Sequence, residues 1–282
     1  MIWNIVSDSS CDLRQCDFTS ETVGFTSVPM RIHVGELEFL DTDALQVPQL
    51  LAAMAATETG SSTACPSPGD YARAFAQGEK TVCFTISGSM SGSFNAAMQG
   101  RALALEEHPE KEIRVIDSLA TGPVVTILIR RAQKLMEAAD SPARFGEICD
   151  ELERLRSSLR TCFTLENFDN LVKNGRMPPF VGSVLQSLGV RVIADGTPQG
   201  TIHVADKVRG EKRMRRAITA LMARSKDCTG LEVIIGHCRN FMGAMLLREQ
   251  ILKDLPVKSV EVRACRGLNS FYAMEKGLVV GY

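Results

Sequence analysis

Residues 81–95, TVCFTISGSMSGSFN, join an apolar strand to a helix through a loop of serine and glycine. Val82, Phe84 and Ile86 alternate as in a buried β-strand, and a helix is predicted to begin near Ser93. The loop contains four serines, at Ser87, Ser89, Ser91 and Ser93. A loop leading from a parallel strand into a helix presents free backbone N–H groups, which attract anions. The stretch therefore predicts a site for an anionic group, although a serine-rich turn that only caps the helix fits the same residues.

Two other strands of the N-terminal half also end in polar residues. The run Trp3–Val6 is followed by Ser7-Asp8-Ser9-Ser10, and Ile113–Ile116 is followed by Asp117-Ser118. Ligands in open α/β sheets gather at the carboxyl ends of the strands, so these polar residues are expected to be neighbours. Asp8 could equally be a helix cap. Helices predicted over 121–138 and from 141 onward complete a strand–helix alternation, which indicates a parallel sheet covered on both faces.

The pattern changes near residue 160, and we expect a domain boundary there. Residues 161–282 contain short strands, a hairpin across 190–204 and amphipathic helices, which are typical of an α+β domain. The predicted fold class is α/β, with a Rossmann-like parallel-sheet domain over 1–160 and a C-terminal α+β domain over 161–282.

The segment between the first strand and the serine loop gives weaker signals. Phe25–Val34 is predicted to be one edge strand whose pairing is limited by Pro29, and Glu36–Asp43 is predicted to be a loop. Ser62-Thr63-Ala64 is extended because prolines follow it, and few ladder partners for it are evident in the local sequence. The Thr63 hydroxyl could point to a ligand or to a neighbouring carbonyl.

Composition excludes several classes of protein. The net charge of -1 gives no general attraction to nucleic acid. The chain start has no signal-peptide pattern, and the longest apolar run is too short to span a membrane. The nine cysteines include no C-x-x-C pair, so reduced thiols in the cytoplasm are expected. The four histidines lie far apart, and no metal site is predicted.

Catalytic motifs are incomplete in this chain. A serine-hydrolase elbow needs G-x-S-x-G, but Gly88-Ser89-Met90-Ser91-Gly92 has methionine at the nucleophile position. No lysine follows Gly92 as a P-loop requires, and a G-x-G-x-x-G fingerprint is missing. A hydroxyl-rich anion site without catalytic residues favours binding over turnover. The alternative is a serine-dependent hydrolase or acyl transferase that acts on a small carboxylate or acyl substrate through Ser91, Ser93 or Asp117.

Several motifs resemble those of the DegV family of bacterial fatty-acid-binding proteins, and they occur in the family's order. The matching segments are residues 5–10 (IVSDSS), 63–70 (TACPSPGD), 86–93 (ISGSMSGS), 115–118 (VIDS), 173–176 (KNGR), 194–196 (ADG) and 207–210 (KVRG). Each is weak alone, but the ordered set is specific. The resemblance implies a carrier that has no catalytic activity of its own and needs no cofactor. It would hold one long-chain fatty acid, such as palmitate, between two domains and present it to a partner fatty-acid kinase.

The resemblance also implies a set of ligand-binding residues. Thr63 and Ser93 would hold the carboxylate together with nearby backbone amides. The wider ligand-binding set is Thr63, Ala64, Ser91, Gly92, Ser93, Asn95, Ser118 and Asn269. Asn269 stands about where the family has a histidine, and an amide cannot carry charge. Ala64 replaces a usual serine, and Phe271-Tyr272-Ala273 replaces a glycine-rich turn.

The acyl tail is expected in the second domain, and the partner at basic residues. Candidate tail-lining residues are Phe163, Leu165, Phe168, Phe180, Val184, Leu188 and Ile193, each of which could equally be ordinary core. Burying ~14 methylenes at ~0.8 kcal/mol each would contribute about 11 kcal/mol before costs. Arg176 and Arg209 are the predicted docking residues. The basic run from Lys207 to Arg216 could dock a partner or be a solvated helix face.

Overall fold

The computed structural model describes residues 1–57, 60–166, 168–177 and 190–282. Its first sheet has four strands in the order β2 (Val23–Val28), β1 (Trp3–Asp8), β6 (Lys80–Thr85) and β7 (Glu112–Asp117). All neighbours in this sheet are parallel. The carboxyl ends of β1, β6 and β7 therefore meet at one edge, as the polar residues after these strands predicted.

Helices cover both faces of the parallel sheet, which confirms the predicted α/β architecture. The helices α2 (Pro68–Phe75) and α3 (Ser93–Glu107) pack on one face, and α4 (Pro123–Glu137) and α5 (Phe145–Ser158) on the other. Successive residues of a strand point to opposite faces. Val82 and Phe84 therefore contact the α4–α5 side, and Cys83 contacts the α2–α3 side.

The second sheet is mixed and lies in the C-terminal half. Its order is β10 (Ile202–Arg209), β9 (Val190–Gly196), β8 (Thr161–Leu165), β13 (Leu278–Gly281), β11 (Glu232–His237) and β12 (Ser259–Ala264). Only β11 and β12 pair in parallel among these strands. The helices α7 (Glu211–Ser225) and α8 (Phe241–Asp254) cover one face. The separate mixed sheet matches the predicted fold class, while the boundary at residue 160 stays a prediction.

A small third sheet corrects three expectations. It has the order β4 (Leu37–Leu40), β3 (Arg31–Val34) and β5 (Ser61–Ala64), all antiparallel. The single strand expected over 25–34 is wrong, because the chain leaves the parallel sheet at Val28 and enters another sheet after Pro29, which has no N–H to donate. The expected loop over 36–43 contains β4. The extended Thr63 does have a ladder partner, Ile32.

Three short helices complete the scaffold around the site. They are α1 (Val47–Ala56), α6 (Asp169–Lys173) and α9 (Gly267–Ala273). The helix α9 begins directly after Arg266 and contacts both α1 and α6. None of the helices in the part of the chain described above has the length and apolar character needed to cross a bilayer. All nine cysteines are free thiols.

Candidate functional site

A cavity of about 320 Å³ lies between the parallel sheet's polar edge, the small sheet, α9 and the open face of the mixed sheet. Its volume is within the ~300–1,000 Å³ typical of small-molecule sites. Most of its wall is apolar, with Met30, Ile86, Leu165 and Leu268 among the lining side chains. The cavity therefore suits a ligand that is largely apolar.

One cation lies in this wall. Arg176 is the only charged side chain among the described residues that line the cavity. Its Nε donates to the Met90 carbonyl oxygen at 3.0 Å, and its Nη1 donates to the Asn174 carbonyl oxygen at 2.5 Å. The guanidinium carbon is 6.0 Å from the centre of the Tyr272 ring, within the range of a cation–π contact. These contacts fix a positive charge at one place in a mainly apolar cavity.

A pair of hydroxyls lies beside this cation. The Thr63 Oγ1 and the Tyr272 hydroxyl are 2.8 Å apart, and both residues line the cavity. Thr63 comes from β5 and Tyr272 from α9, so the pair joins two elements that are 209 residues apart in sequence. Arg176, Thr63 and Tyr272 are therefore polar groups of the cavity wall that lie close together.

Asn269 also lines the cavity, but its amide is held from behind. Its Nδ2 donates to the Ser10 carbonyl oxygen at 2.8 Å, and its Oδ1 accepts from the Thr121 hydroxyl at 2.7 Å. Asp12 lies behind it and accepts from the Arg266 backbone N–H at 2.7 Å. Burial raises the pKa of Asp12 to about 7. The Asn269 amide group thus serves mainly to tie α9 to the N-terminal half.

The start of α9 is fixed by a buried ion pair. The Asp41 carboxylate accepts from the backbone N–H groups of Gly267 and Leu268, both at 2.9 Å. The Arg266 guanidinium lies 3.9 Å from that carboxylate and donates to the Asp41 carbonyl oxygen at 2.9 Å. Burial raises the pKa of Asp41, although Arg266 and these hydrogen bonds oppose the shift. This anchoring holds the side of α9 that faces the cavity.

Ser93 is not among the residues that line the cavity, and its assignment as a carboxylate ligand stays a prediction. It is fully buried; its Oγ donates to Asp8 at 2.6 Å and is 2.6 Å from the Tyr71 hydroxyl. The same carboxylate oxygen of Asp8 also accepts from the Ile86 backbone N–H at 2.9 Å. Burial raises the pKa of Asp8, while the hydrogen bonds from Ser10, Ser93 and Ile86 oppose the shift. Ser93 is therefore part of a closed internal network.

Two more serines of the loop hold the two halves of the chain together. Ser87 Oγ donates to the Gly200 carbonyl oxygen at 2.7 Å, and Ser89 Oγ donates to the Gln199 carbonyl oxygen at 2.6 Å. Gly200 has a φ of +75°, and a Cβ there would lie 2.3 Å from Ser87 Oγ, so only glycine fits. Ser91 is the one serine of the four that lines the cavity.

The remaining predicted head-group residues divide between the cavity wall and other places. Ala64 and Gly92 line the cavity. Asn95 is exposed on α3, because it follows the buried Ser93 by two positions and faces the other side of the helix. Ser118 is buried, and its Oγ donates to the Ala120 carbonyl oxygen at 3.1 Å. Neither Asn95 nor Ser118 is among the residues that line the cavity.

The predicted tail-lining residues are also divided. Phe163 and Leu165 line the cavity. Ile193 does not, because it points to the α7–α8 side of its strand while its neighbour Ala194 faces the other way. Phe168 is fully buried in the core behind Phe163. Phe180, Val184 and Leu188 lie outside the described residues.

The two predicted docking residues lie in different places. Arg176 is in the cavity wall, as described above. Arg209 is exposed at the end of β10, just before the helix α7. The two arginines predicted to dock the partner therefore do not share a surface: Arg176 lies in the cavity wall and Arg209 on the exposed end of β10.

Tyr272 is the main residue that the sequence motifs missed. Its one signal in the sequence is the replacement of a glycine-rich turn by Phe271-Tyr272-Ala273. A wider groove of about 680 Å³ lies elsewhere, between α4, α5 and the β11–β12 edge. Charged pairs such as Arg131–Glu151 and Lys258–Glu232 line it. The smaller cavity is the better candidate site because it combines an apolar wall with one charge.

Known proteins match this chain over its full length. The profile of the DegV family, described as uncharacterised proteins, matches residues 2–275. A DegV domain-containing protein of Streptococcus gordonii is 37% identical over 282 residues, covering 100% of this chain and 99% of that protein. The crystal structure of the Streptococcus pneumoniae Fatty Acid Kinase (Fak) B3 protein loaded with linoleic acid is 34% identical, with a TM-score of 0.95, and the match covers 100% of this chain and 99% of that one.

A second solved structure agrees with the first. A DegV family protein from Eubacterium eligens loaded with heptadecanoic acid is 30% identical with a TM-score of 0.92, covering 99% of this chain and 98% of that one. The resemblance that the ordered motifs indicated is therefore confirmed. Because the family profile spans nearly every residue and relatives above 30% identity align from end to end, this chain belongs to the DegV family.

Proposed function

We propose that this protein binds one long-chain fatty acid in the cavity, with the carboxylate at Arg176 and Thr63 and the tail along Phe163 and Leu165. The observation that carries the proposal is that Arg176 is the only charged side chain among the described residues of a mainly apolar wall. A neutral lipid would leave that charge uncompensated, and a small polar anion would leave the apolar wall unused. The fatty acids bound by the two solved relatives have the same combination of one charge and a long tail.

The balance of free energies supports this ligand. Burying the tail contributes about 0.8 kcal/mol per methylene. Removing the carboxylate from water costs several kcal/mol unless hydrogen bonds and an opposite charge replace the water. The Arg176 guanidinium and the hydroxyl pair are the groups that offset this cost.

As a carrier, the protein would present the bound acid to a separate kinase and perform no chemistry itself. The Streptococcus pneumoniae relative is described as a Fatty Acid Kinase B3 protein, which supports a kinase as the partner. Exposed Arg209 and the basic start of α7 are the proposed docking surface. A cytoplasmic location accords with such a partner.

The hydrolase alternative is less well supported. Ser93 donates to Asp8, and Asp117 accepts from the backbone N–H groups of Gly88 and Leu119. Neither is paired with a histidine, and no histidine is among the described residues that line the cavity. A serine nucleophile needs such a base within hydrogen-bond reach.

The direct test is the lipid that the protein carries and its preference for an acid. Mass spectrometry of the denatured, freshly purified protein is expected to detect bound fatty acid. After the lipid is removed, oleate is expected to bind at least tenfold more tightly than oleyl alcohol of equal chain length. Equal affinities would contradict a site built for a carboxylate, and no binding of either would contradict the function.

A further inference from the structure

The hydroxyls of Thr63 and Tyr272 are paired only with each other among the described residues. Their oxygens are 2.8 Å apart, and either one can be the donor. Each hydroxyl carries one hydrogen and can also accept. The pair therefore holds two O–H hydrogens and uses one of them internally. The second O–H has no acceptor in this pair and is available at the cavity wall, where both residues lie.

The Tyr272 ring is held rigidly in this position. Its ring packs edge to face against Phe271, with centroids 4.8 Å apart. The Phe271 carbonyl oxygen accepts from Asn170 Nδ2 at 2.7 Å, which ties this part of α9 to α6. The Arg176 guanidinium carbon lies 6.0 Å from the centre of the same ring. A donor that is already positioned beside a cation loses little conformational entropy when it binds an anion.

We propose that Tyr272 contacts the ligand and determines its head-group specificity: its hydroxyl donates a hydrogen bond to the carboxylate, beside Thr63 and Arg176. When the acid binds, its oxygen replaces the hydroxyl–hydroxyl contact, and both O–H groups can donate to it. No covalent step or proton transfer is involved. This inference rests on the proposed function and assigns to Tyr272 the donor role that the sequence assigned to Ser93.

The test compares an acid with an alcohol in one conservative variant. Tyr272→Phe removes the hydroxyl and keeps the ring that contacts Arg176 and Phe271. The affinity for oleate is expected to fall about tenfold, which corresponds to about 1.4 kcal/mol. The affinity for oleyl alcohol is expected to change about threefold or less, because a hydrogen bond to a neutral group is weaker than one to a carboxylate. Fluorescence displacement or calorimetry measures both constants.

Tyr282→Phe is the matched control. Its hydroxyl is also paired with a side-chain hydroxyl, Ser225 Oγ at 2.8 Å, but Tyr282 does not line the cavity. This variant is expected to keep the wild-type affinities for both lipids. A similar loss in Tyr282→Phe would show that removing any such phenol hydroxyl perturbs the protein, and would overturn the inference.

The outcomes separate this inference from the proposed function. If the wild type prefers oleate and Tyr272→Phe keeps that preference in full, the function stands and the role of Tyr272 is wrong. An equal loss for acid and alcohol would mean that Tyr272 only shapes the cavity, and would also overturn it. If the wild type binds neither lipid, both proposals fail. Should Tyr272→Phe not fold, Thr63→Val must reduce the same acid-to-alcohol ratio, and an unchanged ratio overturns the inference.

Discussion

Each of the three tyrosines lies beside an aliphatic hydroxyl, and two of these pairs, Tyr71–Ser93 and Tyr272–Thr63, differ in what surrounds them. The Tyr71 hydroxyl is 2.6 Å from Ser93 Oγ, and the Ser93 hydroxyl donates a hydrogen bond to the buried carboxyl group of Asp8. Tyr272 is 2.8 Å from Thr63, with a cation beside it and no carboxylate in the described wall of the cavity. The first pair, which we call the closed pair, has Asp8 as its acceptor, so its hydroxyl hydrogens are used within the protein. The second pair, which we call the open pair, has no further acceptor among the described residues, and this is the observation on which the role proposed for Tyr272 rests.

The comparison teaches that residue type alone does not identify a binding hydroxyl. Ser93 lies at the start of a helix after a parallel strand, the place where anions commonly bind. Asp8, at the end of β1, accepts from the Ser93 hydroxyl and from the Ile86 backbone N–H. The anion site expected at the serine loop stays a prediction.

The largest expected effect comes from removing the acceptor of the closed pair. Asp8→Ala would leave the Ile86 N–H buried without this acceptor and would leave the Ser93 hydroxyl with Tyr71 alone. We expect the free energy of unfolding to fall by about 3–5 kcal/mol, measured by urea denaturation. Thr63→Val in the open pair is expected to lower it by about 1 kcal/mol or less. Similar losses in the two variants would contradict the distinction between the pairs.

The next effect concerns the cation of the open pair. Arg176→Gln is expected to weaken oleate binding about tenfold, since a charge-assisted contact contributes about 1.5–3 kcal/mol and this side chain is only half-buried. Added salt should weaken binding to the wild type more than to the variant, because salt screens the lost attraction. Arg224→Gln, on the exposed side of α7, is the control and should bind as the wild type does. Unchanged oleate affinity in Arg176→Gln would remove the cation from the site.

The pH dependence of stability tests another buried carboxyl group, that of Asp12. Asp12 has a folded-state pKa of about 7, above the value of about 3.9 for an unfolded chain. The folded protein therefore binds the extra proton between these values, and its stability should fall as pH rises from about 4 to about 7, by at most about 1.4 kcal/mol per pH unit. Asp12→Asn should remove this contribution in urea denaturation at pH 5.5, 6.5 and 7.5.

Asp227→Asn provides the contrast for that measurement. Hydrogen bonds from Thr229 lower the pKa of the exposed Asp227, so its contribution changes only in more acidic solution. The slope between pH 5.5 and 7.5 should therefore match the wild type. An Asp12→Asn variant with the wild-type slope would show that Asp12 does not titrate in this range.

The smallest effect is expected when the tyrosine of the closed pair, Tyr71, receives the same substitution as Tyr272. Tyr71→Phe removes one buried hydrogen bond and should lower the free energy of unfolding by about 1 kcal/mol. Oleate affinity should stay at the wild-type value because Tyr71 is outside the cavity wall. Weaker oleate binding in Tyr71→Phe would mean that the closed network reaches the ligand.

Much of the fold could be predicted from the sequence because its signals are local. Alternation in Val82, Phe84 and Ile86 identified a core strand, and the polar residues after β1, β6 and β7 identified the edge where these strands end together. The small sheet was missed because residues 35–60 separate β3 from its partner β5 in the sequence. A strand of four residues without its partner looks like a loop.

The sequence alone determined the family and the alternation of strands and helices around the parallel sheet. Only the tertiary structure decided which hydroxyls are free, since this depends on whether a buried acceptor such as Asp8 reaches them from a distant strand. It likewise placed Arg176 and Tyr272 together, although 95 positions separate them in the chain. The physical reason is that hydrogen-bond satisfaction is a property of neighbours in space, and residue types fix only how many bonds each group can make.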